Sequence, residues 1–330
     1  FAGQVDLGSF FFFFGRLLLD PKNIIIAAAN PGGGAVSRSA ATDVDQFSDN
    51  PTESSWLTGA ALVTLLNAAN VTLQANNDIS FREAVTATSG GNNLTLRAGR
   101  SIDFQSGADL TLNGNGVFTA TFNDGGATAA NRDPGAATFN MAAGTTITAR
   151  GGISIQAGTL AANSSGAATV AANTGNILIN NLVTAGPTVA ADSPGVDGGN
   201  ISVLNNAGAA TGKNIVAAGS LDTRGSSAAN NGGGTANHNA GSGGTVTVDA
   251  SGTVATDIIN TGGGDGVGTG NGGSAGTITL TGDQGITLNN NISALGGAGA
   301  PVGTAGNIVL AATAGGVNQT AGALAAGGLS

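Results

Sequence analysis

The chain repeats one short pattern, in which two Val, Ile or Leu residues flank a single residue that is usually Thr or Ser. Apolar residues spaced two apart have the period of a β-strand with one buried face. The pattern occurs at residues 71–73, 94–96, 110–112, 153–155, 177–179, 201–203, 246–248, 278–280 and 308–310. Its starts lie 24 residues apart from Ile153 to Ile177 and from Ile177 to Ile201, and the last starts lie 32 and 30 apart. Repeats of roughly 20–50 residues predict a solenoid.

Three repeats resolve into three short strands followed by one long, glycine-rich loop. In the repeat that starts at Ile278, a second strand is predicted at 286–288 and a third at 292–294. The repeats that start at Ile201 and Val246 have the same order of elements. The loops after the third strands cover residues 225–244, 260–276 and 296–306. This arrangement describes one coil of a parallel β-helix, in which stacked coils place such loops along one side of the rod.

Glycine and asparagine mark the predicted corners of the coils. The chain contains 58 Gly among its 330 residues. Both residue types adopt the positive φ angles that tight turns require. The run of asparagines at 289–291 is expected to stack on asparagines of neighbouring coils. The sequence therefore predicts an all-β protein, a parallel β-helix solenoid with Gly- and Asn-rich corner loops.

Two other architectures fit the sequence less well than the solenoid. Tandem β-sandwiches also show alternating strands, but their turns come roughly every 8–12 residues without one privileged long loop. A helical repeat conflicts with the glycine content, because glycine is a poor helix former. One short helix is expected within residues 56–69, where Leu57, Ala61, Leu65 and Ala68 have a roughly helical spacing.

The composition excludes several kinds of chemistry. The chain has no Cys and one His, so thiol nucleophiles, disulfides, cysteine zinc sites and multi-histidine metal sites lack their residues. A net charge of -9 with ten basic residues argues against nucleic acid as a ligand. The sequence also lacks the run of about 20 apolar residues that a membrane-spanning helix needs. We predict no cofactor, and folding that does not depend on a metal ion.

Candidate catalytic or metal-binding residues are sparse. Asp43, Asp45 and Asp49 form the densest acidic group, which we interpret as a solvated loop. His238 has no acidic neighbour in sequence and is interpreted as a surface histidine. Asp265 lies in a Gly-Gly-Gly-Asp-Gly segment similar to calcium-binding nonapeptides, but those sites need consecutive copies with Asp at fixed positions. No residue is therefore predicted to be catalytic, cofactor-binding or metal-binding.

Basic residues are concentrated towards the N-terminal side. Eight of the ten precede Gly151, and none follows Arg224. We expect Arg97, Arg100 and Arg150 to neutralise carboxylates on adjacent coils, which is a structural role.

Three segments carry a resemblance to a known family. Residues 17–24 (LLLDPKNI), 70–79 (NVTLQANNDI) and 94–102 (LTLRAGRSI) resemble parts of filamentous-haemagglutinin-like large exoproteins, which are bacterial surface adhesins exported by two-partner secretion. The resemblance implies a right-handed parallel β-helix, passage through an outer-membrane transporter and adhesion at the cell surface. The family's secretion signal and N-terminal secretion domain are not recognisable, so the chain is expected to be a downstream segment. The five phenylalanines at 10–14 depart from the family pattern.

These observations lead to expectations about organisation and function. Residues 1–50 are expected to form atypical N-terminal coils or a linker, and residues 51–330 one continuous solenoid. The expected function is a structural and adhesive segment of a secreted or cell-surface bacterial protein. Its expected partners are the transporter, a glycan or protein receptor on a host or neighbouring cell, and further copies stacked end to end. The alternatives are a carbohydrate-active β-helix, such as a polysaccharide lyase or tailspike-like depolymerase, and a self-assembling extracellular fibre subunit.

Overall fold

The computed structural model describes residues 17–19, 21–32, 36–37, 53–128, 131–159, 174–207, 212–230 and 237–329. Within them the chain winds repeatedly through three parallel sheets, here called A, B and C, and the predicted parallel β-helix is confirmed. The phenylalanine run at 10–14 lies outside the described residues, as do residues 38–52. The boundary expected near residue 50 therefore stays a prediction.

Sheet A is the first side of each coil, and ten of its strands belong to the described residues. In spatial order they are β1 (Leu17–Leu19), β5 (Val71–Ala75), β8 (Leu94–Ala98), β11 (Val117–Phe122), β14 (Gly152–Ala157), β17 (Ile201–Asn205), β20 (Val246–Ala250), β23 (Ile278–Gly282), β26 (Asn307–Ala311) and β29 (Gly328–Leu329). Each strand pairs in parallel with the next one in this order, so neighbouring coils share a regular register.

Sheets B and C form the other two sides. In spatial order, sheet B consists of β3 (Val36–Ser37), β4 (Ser54–Leu57), β2 (Asn23–Ile26), β6 (Ile79–Phe81), β9 (Ile102–Phe104), β12 (Ala137–Met141), β15 (Thr174–Ile179), β18 (Ile215–Ala217), β21 (Thr253–Thr256), β24 (Gly285–Leu288) and β27 (Val317–Gln319). Sheet C consists of β7 (Val85–Thr86), β10 (Leu110–Leu112), β13 (Thr146–Ala149), β16 (Asn181–Val183), β19 (Leu221–Asp222), β22 (Ile259–Asn260), β25 (Ile292–Ser293) and β28 (Leu324–Ala325).

The core lies inside the coil and is built by the alternating pattern. Strands such as β8 and β17 bury every second residue, and equivalent residues of successive coils stack in register. Phe104 lies in the aromatic part of this core, with its ring centroid 4.5 Å from that of Phe81, 6.1 Å from Phe118 and 6.0 Å from Phe139. Aliphatic side chains make up most of the rest.

One inference from the sequence spacing is wrong. Ile153 and Ile201 both lie in sheet A and pair with each other, but Ile177 lies in sheet B and pairs with Ile215. The even 24-residue spacing therefore does not mark successive coils. Strands of all three sheets have the same alternation of buried apolar and outward-facing residues. This alternation alone therefore does not tell which sheet a strand joins.

The predicted short helix is present but turns a different face inward. Helix α1 (Gly59–Ala68) begins after Thr58, whose side chain accepts a hydrogen bond from the Ala61 backbone. Leu62 and Leu66 are fully buried in the solenoid core, whereas Ala61 and Leu65 are only half-buried. The helix contacts β7, the first described strand of sheet C, and so covers that end of the core. Among the described residues no helix is long and apolar enough to cross a membrane.

Side-chain oxygens at the corners tie each coil to the next. The Asn200 side chain accepts a hydrogen bond from the Thr245 backbone at 2.8 Å, and Asn291 accepts one from the Ala323 backbone at 2.9 Å. The expected stacking of 289–291 on other asparagines is thus corrected: Asn291 bonds to backbone of the next coil. Such bonds satisfy backbone N–H groups where the strands end.

Candidate functional site

Four long loops that connect sheet C to sheet A form one continuous structure on the side of the rod. They cover residues 184–200, 223–245, 261–277 and 294–306, of which 231–236 lie outside the described residues. We call this structure the glycine ridge. Each loop has an outgoing limb after its sheet C strand and a returning limb before its sheet A strand. Loops at the three predicted positions therefore do line one side, as expected.

A chain of backbone hydrogen bonds runs through the middle of the glycine ridge. It alternates between outgoing and returning limbs and crosses from one loop to the next, with donor–acceptor distances of 2.9 to 3.0 Å. The N–H to O=C links are Gly303 to Gly297, Gly297 to Gly273, Gly273 to Gly264, Gly264 to Gly241, Gly241 to Ser226 and Ser226 to Val196. The loops are therefore bonded to one another as strands are in a sheet, although these segments are not strands.

Glycine is required in the ridge because the limbs approach too closely for any side chain. Gly241, Gly264, Gly273 and Gly297 are buried, and none has a positive φ. A Cβ atom on Gly273 would overlap the carbonyl oxygen of Gly241, and one on Gly297 would overlap that of Gly264. The ridge therefore has a core made of backbone, which only glycine permits.

A buried threonine closes the base of three of the four loops. The Oγ1 atoms of Thr184, Thr223 and Thr261 donate hydrogen bonds of 2.6 to 2.7 Å to the carbonyl oxygens at the ends of their own loops. In the fourth loop Ala294 takes this position, and only the backbone bond from Gly306 remains. The 184–200 loop was missed in the sequence, although Thr184-x-Gly186 repeats the start of the next loop, Thr223-x-Gly225.

The tips of the ridge carry the single histidine of the chain. His238 Nε2 lies 3.1 Å from Asp192 Oδ1 of the preceding loop, and the His238 backbone bridges to Val267 of the following loop. The sequence showed no acidic neighbour because Asp192 is 46 residues away. His238 therefore joins three loops, and its side chain is only 23% exposed.

A hollow of about 410 Å³ lies along the outgoing limbs of the first two loops. Its lining consists of small residues of both limbs together with Arg224. The Arg224 guanidinium bonds to Asp222, which raises the arginine's pKa. The hollow thus has mostly backbone and small side chains to offer a ligand.

A second concavity, of about 370 Å³, lies on the outer face of sheet B, and we call it the polar cleft. Three carboxylates line it, and each has a partner. Asp78 accepts from Arg100 Nε at 2.9 Å, Asp133 pairs with a lysine at 2.8 Å, and Asp103 accepts from an asparagine amide at 2.7 Å. The cleft is therefore rich in hydrogen-bonding groups whose charges are largely balanced.

The expected role of the arginines is confirmed for two of them. Arg97 forms a bidentate pair with Asp124 of the next coil, at 2.7 and 2.9 Å. Arg100 pairs with Asp78 of the preceding coil, and the hydrogen bond to this carboxylate raises the pKa of Arg100. Arg150 has no carboxylate partner among the described residues.

The acidic residues considered as candidate metal ligands do not share one location. Asp43, Asp45 and Asp49 lie outside the described residues. Asp265 accepts a hydrogen bond from the Ala298 backbone of the next loop at 2.7 Å, so it ties two loops together. Burial raises the pKa of Asp249 on sheet A, and the nearby Asp283 carboxylate raises it further. Within the described part of the chain, no three acidic or histidine side chains are grouped so that they could hold a metal ion.

No protein-family model, curated protein or solved structure matches the chain.

Proposed function

We propose that the chain is a structural and adhesive segment of a bacterial cell-surface or secreted protein, and that the glycine ridge is its contact surface. The observation that carries this proposal is the bonding of four separate loops into one ridge on a solenoid. Binding residues tend to lie on loops that a rigid scaffold holds in place. Here backbone hydrogen bonds also hold the loops themselves in place. Because the loops are already ordered, less conformational entropy is lost when a partner binds.

The surface chemistry of the ridge favours a partner bound by shape and hydrogen bonds. Apolar side chains project singly, with Val196 40%, Leu295 49% and Val302 68% exposed. Asn, Ser and Thr lie between them, and few charges are present. Such a surface suits a glycan or a protein receptor on a host or neighbouring cell better than a highly charged polymer.

Export and location are part of the same proposal. The resemblance of residues 17–24, 70–79 and 94–102 to large exoproteins supports passage through an outer-membrane transporter and residence outside the bacterial cell. The absence of cysteine from all 330 residues is compatible with that route, because stray disulfides cannot form during export.

A carbohydrate-active enzyme is the second candidate, and the polar cleft is the observation that favours it. Glycoside hydrolysis needs one carboxylic acid that is free to give a proton and a second carboxylate beside the scissile bond. Asp78 and Asp133 are instead engaged with basic side chains, and Asp103 with an amide. This pairing favours binding at the cleft over cleavage.

End-to-end assembly into a fibre is the third candidate. Coil edges expose unpaired backbone groups and invite such stacking. On the N-terminal side of sheet C, however, α1 lies against β7, with Leu62 and Leu66 fully buried. Stacking there would have to displace the helix, which makes adhesion the better-supported function.

Removal of the whole ridge tests the adhesive role. All four loops should be replaced together by the short connection that the protein itself uses between β10 and β11, residues 113–116, because single deletions would leave neighbouring loops without hydrogen-bond partners. We expect the β-rich circular-dichroism spectrum to be retained. Attachment of the labelled protein to epithelial or bacterial cells should fall at least tenfold.

The control changes the surface of a different face. Thr119, Ser154 and Ser202 stack in register on the outer face of sheet A, and their replacement by Ala should leave attachment unchanged. Undiminished attachment by a folded rod without its ridge would refute the adhesive role of the ridge.

A further inference from the structure

The floor of the polar cleft is a regular grid of outward-facing side chains on three adjacent strands. The pairing of β2, β6 and β9 puts residues from three coils side by side, with Ser80 beside Asp103. Arg82 and Gln105 directly follow β6 and β9 and also line the cleft. Neighbouring strands lie about 4.8 Å apart, so three strands make the floor about 10 Å wide. Each residue adds about 3.3 Å along a strand, so three alternate positions make the floor about 13 Å long. A cleft of 370 Å³ is within the roughly 300–1,000 Å³ of small-ligand sites.

One wall of the polar cleft is held by a loop between β11 and β12. Asp133 of this loop pairs with Lys22 at 2.8 Å and accepts a hydrogen bond from the Asn77 side chain at 3.1 Å. The preceding Arg132 is buried and donates to the Gly99 carbonyl at 2.8 Å. These contacts fix the wall before any ligand arrives, and preorganisation of this kind favours binding.

The floor leaves several polar groups free for a ligand. Among the described residues, Arg82, Gln105 and Ser80 have no side-chain hydrogen bond or ion pair. Asp103 uses one oxygen to accept the Asn140 amide and keeps the other for further donors. A guanidinium, an amide, a hydroxyl and a carboxylate oxygen therefore face the same space.

We propose that the polar cleft binds a sugar that carries a carboxylate, such as a hexuronic acid residue of a polysaccharide. The Arg82 guanidinium matches a carboxylate with two parallel hydrogen bonds. Asp103 accepts hydrogen bonds from ring hydroxyls, and Gln105 and Ser80 both donate and accept. This site lies on a different face from the glycine ridge and does not depend on the function proposed for it.

The cleft offers a ligand one guanidinium that is not already paired with a carboxylate. Lys22 and Arg100 are already neutralised by Asp133 and Asp78, whereas Arg82, which also lines the cleft, has no ion pair among the described residues. A polyphosphate or a nucleic acid would need several free cations. A sugar carboxylate needs only one, and its hydroxyls use the remaining groups of the floor.

Calorimetric titration with two matched tetrasaccharides tests this site. The first is tetragalacturonate, and the second is the same sugar with its carboxyl groups reduced to alcohols. We expect the protein to bind the acidic form at least tenfold more tightly. Arg82→Gln should weaken binding of the acidic form about tenfold or more, because a charge-assisted pair is lost, and should leave the neutral form unaffected. Asp103→Asn should weaken the binding of both sugars.

The matched control is Arg150→Gln, which changes the net charge equally at a half-buried arginine outside both the polar cleft and the glycine ridge. Arg82 is exposed, so Arg82→Gln should keep the wild-type unfolding midpoint. Arg82→Lys keeps the positive charge but lacks the planar guanidinium that donates two parallel hydrogen bonds. This variant should bind the acidic sugar with intermediate affinity. No binding of tetragalacturonate, equal binding of both sugars, or equal effects of the Arg82 and Arg150 variants would each overturn the proposal.

Discussion

Replacement of Gly273 by Ala should break the glycine ridge open and destabilise the protein by about 3 kcal/mol. The added methyl group would overlap the carbonyl oxygen of Gly241 in the neighbouring loop. Overpacking usually costs about 1–3 kcal/mol, and the upper end applies here because backbone atoms cannot rotate away as a side chain can. Denaturant titration measures the loss of stability, and limited proteolysis within residues 261–277 measures the opening.

Gly316→Ala is the matched control. Gly316 is exposed and has no positive φ, and no atom lies within 4 Å of the position that its Cβ would occupy. This variant should keep wild-type stability and protease resistance. If Gly273→Ala behaved like Gly316→Ala, the limbs could not be packed backbone against backbone.

Replacement of Phe104 by Ala should destabilise the N-terminal coils by about 3–5 kcal/mol. Removal of a buried aromatic side chain loses its transfer free energy and leaves a cavity. The ring of Phe104 stacks on Phe81 at 4.5 Å and also contacts the rings of Phe118 and Phe139, so three coils lose packing at once. Denaturant-induced unfolding followed by circular dichroism gives the change in free energy.

The control for this variant comes from the outer face of the same sheet. Leu178 is an outward-facing apolar residue of β15 and is 37% exposed. Leu178→Ala should change the free energy of unfolding by less than about 1 kcal/mol. Equal effects of Leu178→Ala and Phe104→Ala would mean that the aromatic cluster does not form the core of these coils.

The strands and the class of fold could be predicted because they depend on the residue pattern within each short segment of the sequence. Alternation of apolar and polar residues buries one face of each strand wherever the strand lies. Sheet membership is not local, since it depends on which coil a strand stacks against. Ile177 therefore looked equivalent to Ile153 and Ile201, although it faces a different part of the core.

The position of the loops could be predicted, but the way in which they pack could not. A glycine such as Gly273 is compatible with a flexible loop, a turn or a close approach of two chain segments. Only the pairing of residues far apart, such as Gly273 with Gly264 and Gly297, shows that close approach is the reason. The pairing of His238 with Asp192 could not be predicted for the same reason, because the two residues are 46 apart in the sequence.

The polar cleft left no signal in the sequence because its residues come from separate coils and one inserted loop. Arg82 and Asp103 are unremarkable as single positions in alternating segments. They become neighbours in one cleft only when β6 pairs with β9 in the observed register. The burial of Arg132, which holds the wall, depends on contacts that form after the coils have stacked.

Native-state hydrogen exchange of the ridge amides tests most directly whether these loops form a fixed structure. The amides of Gly241, Gly264, Gly273 and Gly297 each donate to a carbonyl of a neighbouring limb and are buried. They should exchange as slowly as the amides of β20 and β23, the sheet A strands beside them. Exchange of these four amides at the rate of an unstructured peptide, while β20 and β23 stay protected, would contradict the ridge and the adhesive function proposed for it.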